Sequence, residues 1–248
     1  MTPSKKQFAL IIGAVIILML NFVSIFNWFG DLGGTGAHAE VYDELFTLYW
    51  SLGAAIGLGV YCYFIYLVTT SQEETEDEPQ IGEKPLERGS TKVAFAITIV
   101  ITLFLLVLSD VTFDSIDFFE KHEEYTTDES FTIKVTGYQY YWKYQYPNGI
   151  EYTSAGGEAL RIPVDVPVVF EVTSGDVFHS FALPEHRIKI DALPSRANTG
   201  WILAEETGYY PIRCFELCGD DHAIMIGNLE VMEKSEFNVW YQSEGEGI

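Results

Sequence analysis

Three stretches of the chain stay apolar over a length few soluble segments reach. Phe8 to Phe29 runs 22 residues without a charge, Leu45 to Val68 runs 24, and Val93 to Ser109 runs 17 between Lys92 and Asp110. A helix needs about 20 predominantly apolar residues to cross a bilayer, so the pattern predicts three spans. A buried helix of a soluble protein is a poor account of runs this long that carry no charge.

Beyond Asp110 the pattern changes. An acidic stretch, DSIDFFEKHEEYTTDES, leads into short runs rich in aromatic and β-branched residues. The runs are Phe131 to Tyr138, Tyr141 to Tyr146, Val168 to Thr173, Phe178 to Leu183, Ile188 to Ile190, Trp201 to Leu203, Tyr209 to Ile212 and Ile226 to Val231. PNG, AGG, SG, LP and TG separate them and are turn signals. Many short strands at this spacing predict an all-β sandwich or barrel. A helical period returns only at SEFNVWYQ, and no internal repeat is present.

The expected organisation is therefore a membrane-anchored all-β protein. Residues 1–39 form an N-terminal transmembrane helix or a signal peptide. Residues 40–110 form a transmembrane hairpin with an acidic loop at 71–92, residues 111–130 an acidic juxtamembrane linker, and 131–248 the β-domain. Lys5 and Lys6 precede the first run, and Lys84, Arg88 and Lys92 lie between the second and third. Gly30 to Glu44 contains no Lys or Arg. The excess of basic residues marks the cytoplasmic side, which puts everything after Asp110 outside the cell membrane. The first run has two readings. It is a retained helix, or a signal peptide whose small-x-small site is the AHA before Glu40. The β-domain stays outside in both.

Composition narrows the partners. Thirty-six acidic residues against fourteen basic ones give a formal net charge of −22, with 48% hydrophobic residues. Such a balance argues against a nucleic-acid partner. It suits a salt-adapted surface, and concentrated salt would screen any electrostatic steering.

Two of the three cysteines lie in CFELCGDDHAIM, where Cys214, Cys218, His222 and Met225 follow the spacing C-x3-C-x3-H-x2-M. Thiolate and thioether are soft ligands and imidazole is intermediate, a set that suits copper. A Cys214–Cys218 disulfide would leave His222 and Met225 without a role. A zinc site of two Cys and two His is a better rival but gives Met225 nothing to do. A single blue-copper ion needs only one thiolate, whereas two thiolates can bridge a pair of coppers. Each copper then takes one His and one weak ligand. The second His must come from elsewhere, and His179 in DVFHSFALP is the best candidate. The Glu216 backbone carbonyl is a candidate second weak ligand. His38, His122 and His186 read as solvent-facing.

The membrane hairpin, GYQYYWKYQY, DVFHSFALP, KIDALPSR and CFELCGDDHAIM together resemble subunit II of heme–copper cytochrome c oxidase. The match runs from about Val41 onward. The resemblance implies a cupredoxin-like Greek-key β-sandwich carrying a dinuclear CuA centre of two copper ions. By position it implies bridging by Cys214 and Cys218, terminal ligation by His179 and His222, and weak axial ligation by Met225 and the Glu216 carbonyl. It also implies a magnesium at the subunit I interface, reached by the Glu216 side chain. The partners implied are oxidase subunit I, with its haem and CuB, subunit III, and an electron donor that is cytochrome c or a blue-copper protein.

The implied role is electron entry, with electrons passed to haem for reduction of oxygen to water coupled to proton translocation. In the family a Trp after Gly-His-Gln receives electrons; here Gly137-Tyr138-Gln139 is followed by Tyr140, with Trp142 two residues on. Asp191 and Arg196 fall in the segment near subunit I, and Glu87 is a candidate proton-path acid. The absence of CxxCH excludes a fused c-type haem. Three alternatives remain: the CuA subunit of a nitric-oxide reductase, a stand-alone membrane-anchored copper carrier, and a zinc-stabilised binding module.

Overall fold

The computed structural model describes residues 33–70 and 90–245. The first predicted span, the acidic loop up to residue 89 and Glu87 lie outside the described residues. Helix α1 runs Ala37–Thr70 and α2 runs Thr91–Glu120. Within them, Ala37–Ile65 and Ala94–Glu120 are long and apolar enough to cross a membrane. Their large side chains are bare, with Val60, Phe64, Phe95, Val100 and Leu106 all at least 60% exposed. Helices that are apolar all round, as these are, suit a membrane span. The polar groups they do carry find partners inside the pair. Tyr49 Oη donates to the Leu108 carbonyl at 3.3 Å and lies 2.6 Å from Thr112 Oγ1.

Both helices outrun the sequence expectation. α1 begins eight residues before Leu45, so Ala37-His38-Ala39 forms its first turn. α2 continues through the acidic stretch to Glu120, and a short α3 follows at His122–Tyr125. The expected linker 111–130 is therefore largely helical. It contains no Gly or Pro before Phe131, and an Asp117–Lys121 pair spans one helical turn at 2.5 Å. Acidity measures hydration, not helix propensity, and it concealed the continuation.

The outer unit comprises residues 31–44 and 115–248. Its ten strands are β1 Phe131–Tyr138, β2 Tyr141–Gln145, β3 Glu151–Thr153, β4 Leu160–Pro163, β5 Val168–Ser174, β6 His179–Leu183, β7 Ile188–Ala192, β8 Asn198–Ile202, β9 Gly208–Cys214 and β10 Ile226–Met232. They form two five-stranded sheets, ordered β3-β2-β1-β5-β8 and β4-β10-β9-β6-β7. The chain crosses between sheets five times after β3, which makes β1 and β5 parallel neighbours although they are distant in sequence. A final helix, α4, spans Lys234–Gly245.

The eight predicted strands are present, and β3 and β4 are additional. β3 is three residues long and β4 ends in Pro163, so neither offers a readable alternation. The core lies between the sheets. Ile133, Val135, Trp142, Tyr144, Leu160, Ile162, Phe170, Val172, Phe181, Ile212 and Leu229 are fully buried. Burying a side chain of this size contributes roughly 1.5–3 kcal/mol.

The segment before α1 is tied to the sandwich. Thr35 N donates to the Glu185 carbonyl at 2.8 Å, and Arg187 holds both Asp43 carboxylate oxygens at 2.9 and 3.3 Å. Here a sequence expectation is overturned: His38 and His186 are each only 1% exposed. His38 sits against Phe118, Phe119 and Trp201, at ring separations of 5.0, 5.5 and 4.3 Å. His186 meets Tyr210 edge-on at 4.6 Å. Neither pair of ring nitrogens has a hydrogen-bond partner among the described residues. Aromatic neighbours from remote segments close over the rings, which local sequence does not show.

Candidate metal centre

The centre is assembled from the end of β9, the loop after it, and the start of β6. β9 delivers Cys214, whose N–H donates to the Met225 carbonyl at 3.2 Å and so closes the loop. A 3-10 turn over His222–Ile224 directs His222 and Met225 back toward the cysteines. Gly219 has φ +137, and a Cβ there would lie 2.5 Å from Tyr140 Oη and 2.8 Å from Gln139 Nε2. Only glycine fits this backbone against that turn.

His179 arrives from β6, whose register sets Phe181 opposite Cys214 and Ala182 opposite Arg213. The sulfurs of Cys214 and Cys218 are 3.9 Å apart. Cys214 Sγ lies 3.9 Å from His179 Nδ1 and 3.2 Å from the Glu216 carbonyl oxygen. Cys218 Sγ lies 3.5 Å from His222 Nδ1 and 3.8 Å from Met225 Sδ. Each sulfur thus meets one imidazole and one weaker donor. The six expected donors converge on one place.

His179, Cys214, Cys218 and Met225 are buried, with exposures of 0, 6, 4 and 1%, while His222 is half-buried. The side chain of Glu216 is exposed, in contrast to its carbonyl. Burial pushes the Cys218 thiol up to about 12, and the neighbouring Cys214 adds to the rise. Two buried thiols side by side are costly to ionise unless a cation compensates them.

The donor set fits a soft metal. Both cysteines are free, and their 3.9 Å separation is far from the ~2.05 Å of a disulfide. A metal–thiolate bond of about 2.3 Å lets one ion touch both sulfurs, since twice that length exceeds their separation. Among the described His, Cys, Asp and Glu residues, His179, Cys214 and Cys218 place their ligand atoms within 4.8 Å of one another.

Surrounding contacts bind the β1–β2 turn to this loop. Gln139 Nε2 donates to the Cys218 carbonyl at 2.6 Å, and Asp220 N donates to Tyr140 Oη at 3.1 Å. Tyr140 is half-buried, whereas Trp142 is fully buried and meets the His179 ring edge-on at 5.9 Å. Asp176 was not singled out from the sequence. Its Oδ1 lies 2.7 Å from His179 Nε2, and its Oδ2 accepts from Gln139 N at 2.8 Å. Burial alone would raise this carboxyl, but hydrogen bonds from His179, Gln139 and Val177 hold it below the usual range. Asp191 bonds Lys189 and Ser180 at 2.8 and 3.0 Å, and Arg196 is exposed.

Residues 154–232 match the family model described as cytochrome c oxidase subunit II, periplasmic domain. A heme-copper oxidase subunit 2 from Aeropyrum pernix is 32% identical over 222 residues, covering 82% of this chain and 89% of that protein. The chain belongs to the cytochrome c oxidase subunit II family. A probable cytochrome c oxidase subunit 2 from Rickettsia bellii is 35% identical over 165 residues. That match covers 59% of this chain and 60% of the relative, so this chain spans less than two thirds of its length. The solved periplasmic domain of subunit II of cytochrome oxidase from Bradyrhizobium japonicum is 37% identical. It covers 47% of this chain and 94% of that one, with a TM-score of 0.44. As a member of the subunit II family, the chain is membrane-anchored with an extracytoplasmic β-sandwich. Its His/Cys/Cys cluster lies inside residues 154–232, the stretch that the family model matches.

Proposed function

We propose that the protein is the electron-entry subunit of a terminal heme–copper oxidase. In this reading Cys214, Cys218, His179, His222, Met225 and the Glu216 carbonyl hold two copper ions as a CuA centre. The observation that carries it is the convergence of all six donors, five from one loop and His179 from a neighbouring strand. Held by these residues, a copper pair would supply one-electron redox chemistry. The chain's own residues contribute a rigid, nearly dry enclosure, and rigid ligands with limited water access tune such sites. Each thiol releases its proton on loading, so assembly is favoured by higher pH.

Tyr140 is the surface group best disposed to receive electrons, because its hydroxyl is bonded to the metal loop. Trp142 lies behind it, against His179. The donor is a cytochrome c or a small blue-copper protein. Electrons pass on to haem in subunit I, where oxygen is reduced to water and protons are translocated. The exposed Glu216 side chain suits a magnesium shared with subunit I, and subunit III is a further partner. The membrane is the cell membrane, crossed more than once, and the acidic surface suits high salt.

Metal analysis of the purified full-length chain tests the proposal. Two coppers per chain and a purple spectrum are expected, whereas a colourless zinc protein would sink it. Co-purification separates the alternatives. A partner with iron beside its haem would make the complex a nitric-oxide reductase, and purification without any haem-bearing partner would make the chain a stand-alone carrier.

A further inference from the structure

The two histidines at the centre are not equivalent. His179 is fully buried and its Nε2 lies 2.7 Å from Asp176 Oδ1. His222 is half-buried, and no carboxylate hydrogen bond to its ring is present among the described residues. Asp176 is itself held in place. It accepts from Gln139 N at 2.8 Å and from Val177 N at 2.6 Å, and its own N–H donates to Ser174 Oγ at 3.1 Å. Its Oδ1 also lies 3.4 Å from Ser174 Oγ.

We infer that Asp176 is a positioning residue. It draws the ring proton of His179 to Nε2, leaves Nδ1 bare toward Cys214, and makes His179 the stronger donor of the two histidines. The inference rests on the copper reading above and deepens it.

The physical reason is tautomer choice. A neutral imidazole carries one N–H, and the nitrogen without it is the one that can ligate. A carboxylate acceptor fixed at 2.7 Å from Nε2 selects the tautomer whose Nδ1 faces the sulfurs. The same bond gives the ring partial imidazolate character and raises its basicity. A negative charge at that distance also favours the more positive, oxidised state of the centre. His179 is fully buried while Asp176 is exposed, so solvent screens part of this effect. Asp176 also accepts from the backbone of the turn that carries Tyr140, which ties the orientation of His179 to the position of that turn.

The test uses the copper-loaded full-length chain in detergent and the isosteric variant Asp176→Asn. The amide oxygen can still accept from Nε2, so the ring orientation is kept while the charge is lost. Copper is expected to remain bound. The ratio of affinities for the oxidised and reduced centre is expected to fall about tenfold, an upward shift of about 59 mV in midpoint potential. Asp176→Ala is expected to lose orientation as well, with a 10–100-fold weaker hold on copper and faster solvent exchange of one imidazole N–H.

A control, Asp221→Asn, removes one charge beside His222 without touching a ring nitrogen and is expected to shift the potential less. An Asp176→Asn potential equal to wild type, or no larger a shift than the control, overturns the inference. Loss of all copper from folded Asp176→Asn also overturns it, because the residue would then be essential to binding. If the wild-type chain itself holds no copper pair, the functional reading fails instead, independently of Asp176.

Discussion

Lowering the pH from 7 toward 4 sets proton binding against packing at His186. The ring is 1% exposed, stacked edge-on against Tyr210, and burial drops it from 6.5 to about 4. In the unfolded chain it returns to an ordinary value near 6.5. Between these values the unfolded state binds a proton that the folded state refuses. Stability is therefore full above about pH 6.5, falls as pH drops through the interval, and levels off below about 4. The loss works out at about 2 kcal/mol at pH 5 and about 3 kcal/mol at pH 4.

The assay is urea or thermal unfolding of the full-length chain in detergent across this range, followed by far-ultraviolet circular dichroism of the β-domain. The comparison is His186→Leu, which removes the titration and keeps similar bulk. Other groups titrate in both proteins and largely cancel in the difference; His38 is the exception, since after burial the smaller cause of its lowered value is His186. At pH 7 the variant is expected to be nearly as stable as wild type, because His186 gives up no hydrogen bond there. At pH 4 it is expected to be more stable by about 3 kcal/mol, in keeping with the same linkage. Parallel pH profiles in the two proteins would refute the claim that His186 is buried and neutral.

The remaining predictions concern the centre. Cys218→Ser removes one of two bridging sulfurs and is expected to abolish the purple spectrum; an unchanged spectrum would refute the ligand assignment. Met225→Leu replaces a weak donor by a side chain of similar volume. It should keep both coppers and the fold while shifting the midpoint potential, and loss of one copper would show Met225 to be more than a weak ligand.

The loop CFELCGDDHAIM is legible as a ligand set because its spacing is covalent. Cys214, Cys218, His222 and Met225 reach one point whenever the loop closes, and the backbone bond from Cys214 N to the Met225 carbonyl closes it. The apolar runs were legible for a similar reason, since the length of an uncharged stretch is a property of the chain alone. Runs rich in aromatic and β-branched residues between turn signals likewise revealed eight strands, though not the short β3 and the proline-ended β4.

Tertiary structure decided how an outside ligand meets the loop, although His179 was already a candidate from the sequence. His179 comes from 35 residues upstream, and only the pairing of β6 with β9 brings it to Cys214. Asp176, three residues before it, looks like any turn acid until the turn sets its carboxylate on Nε2. The burial of His38 and His186 was illegible as well, because Trp201, Phe118 and Tyr210 reach them from distant segments. Local pattern determines which groups a segment offers. Which groups meet, and whether water remains between them, depends on strand register and on packing between segments far apart in the chain.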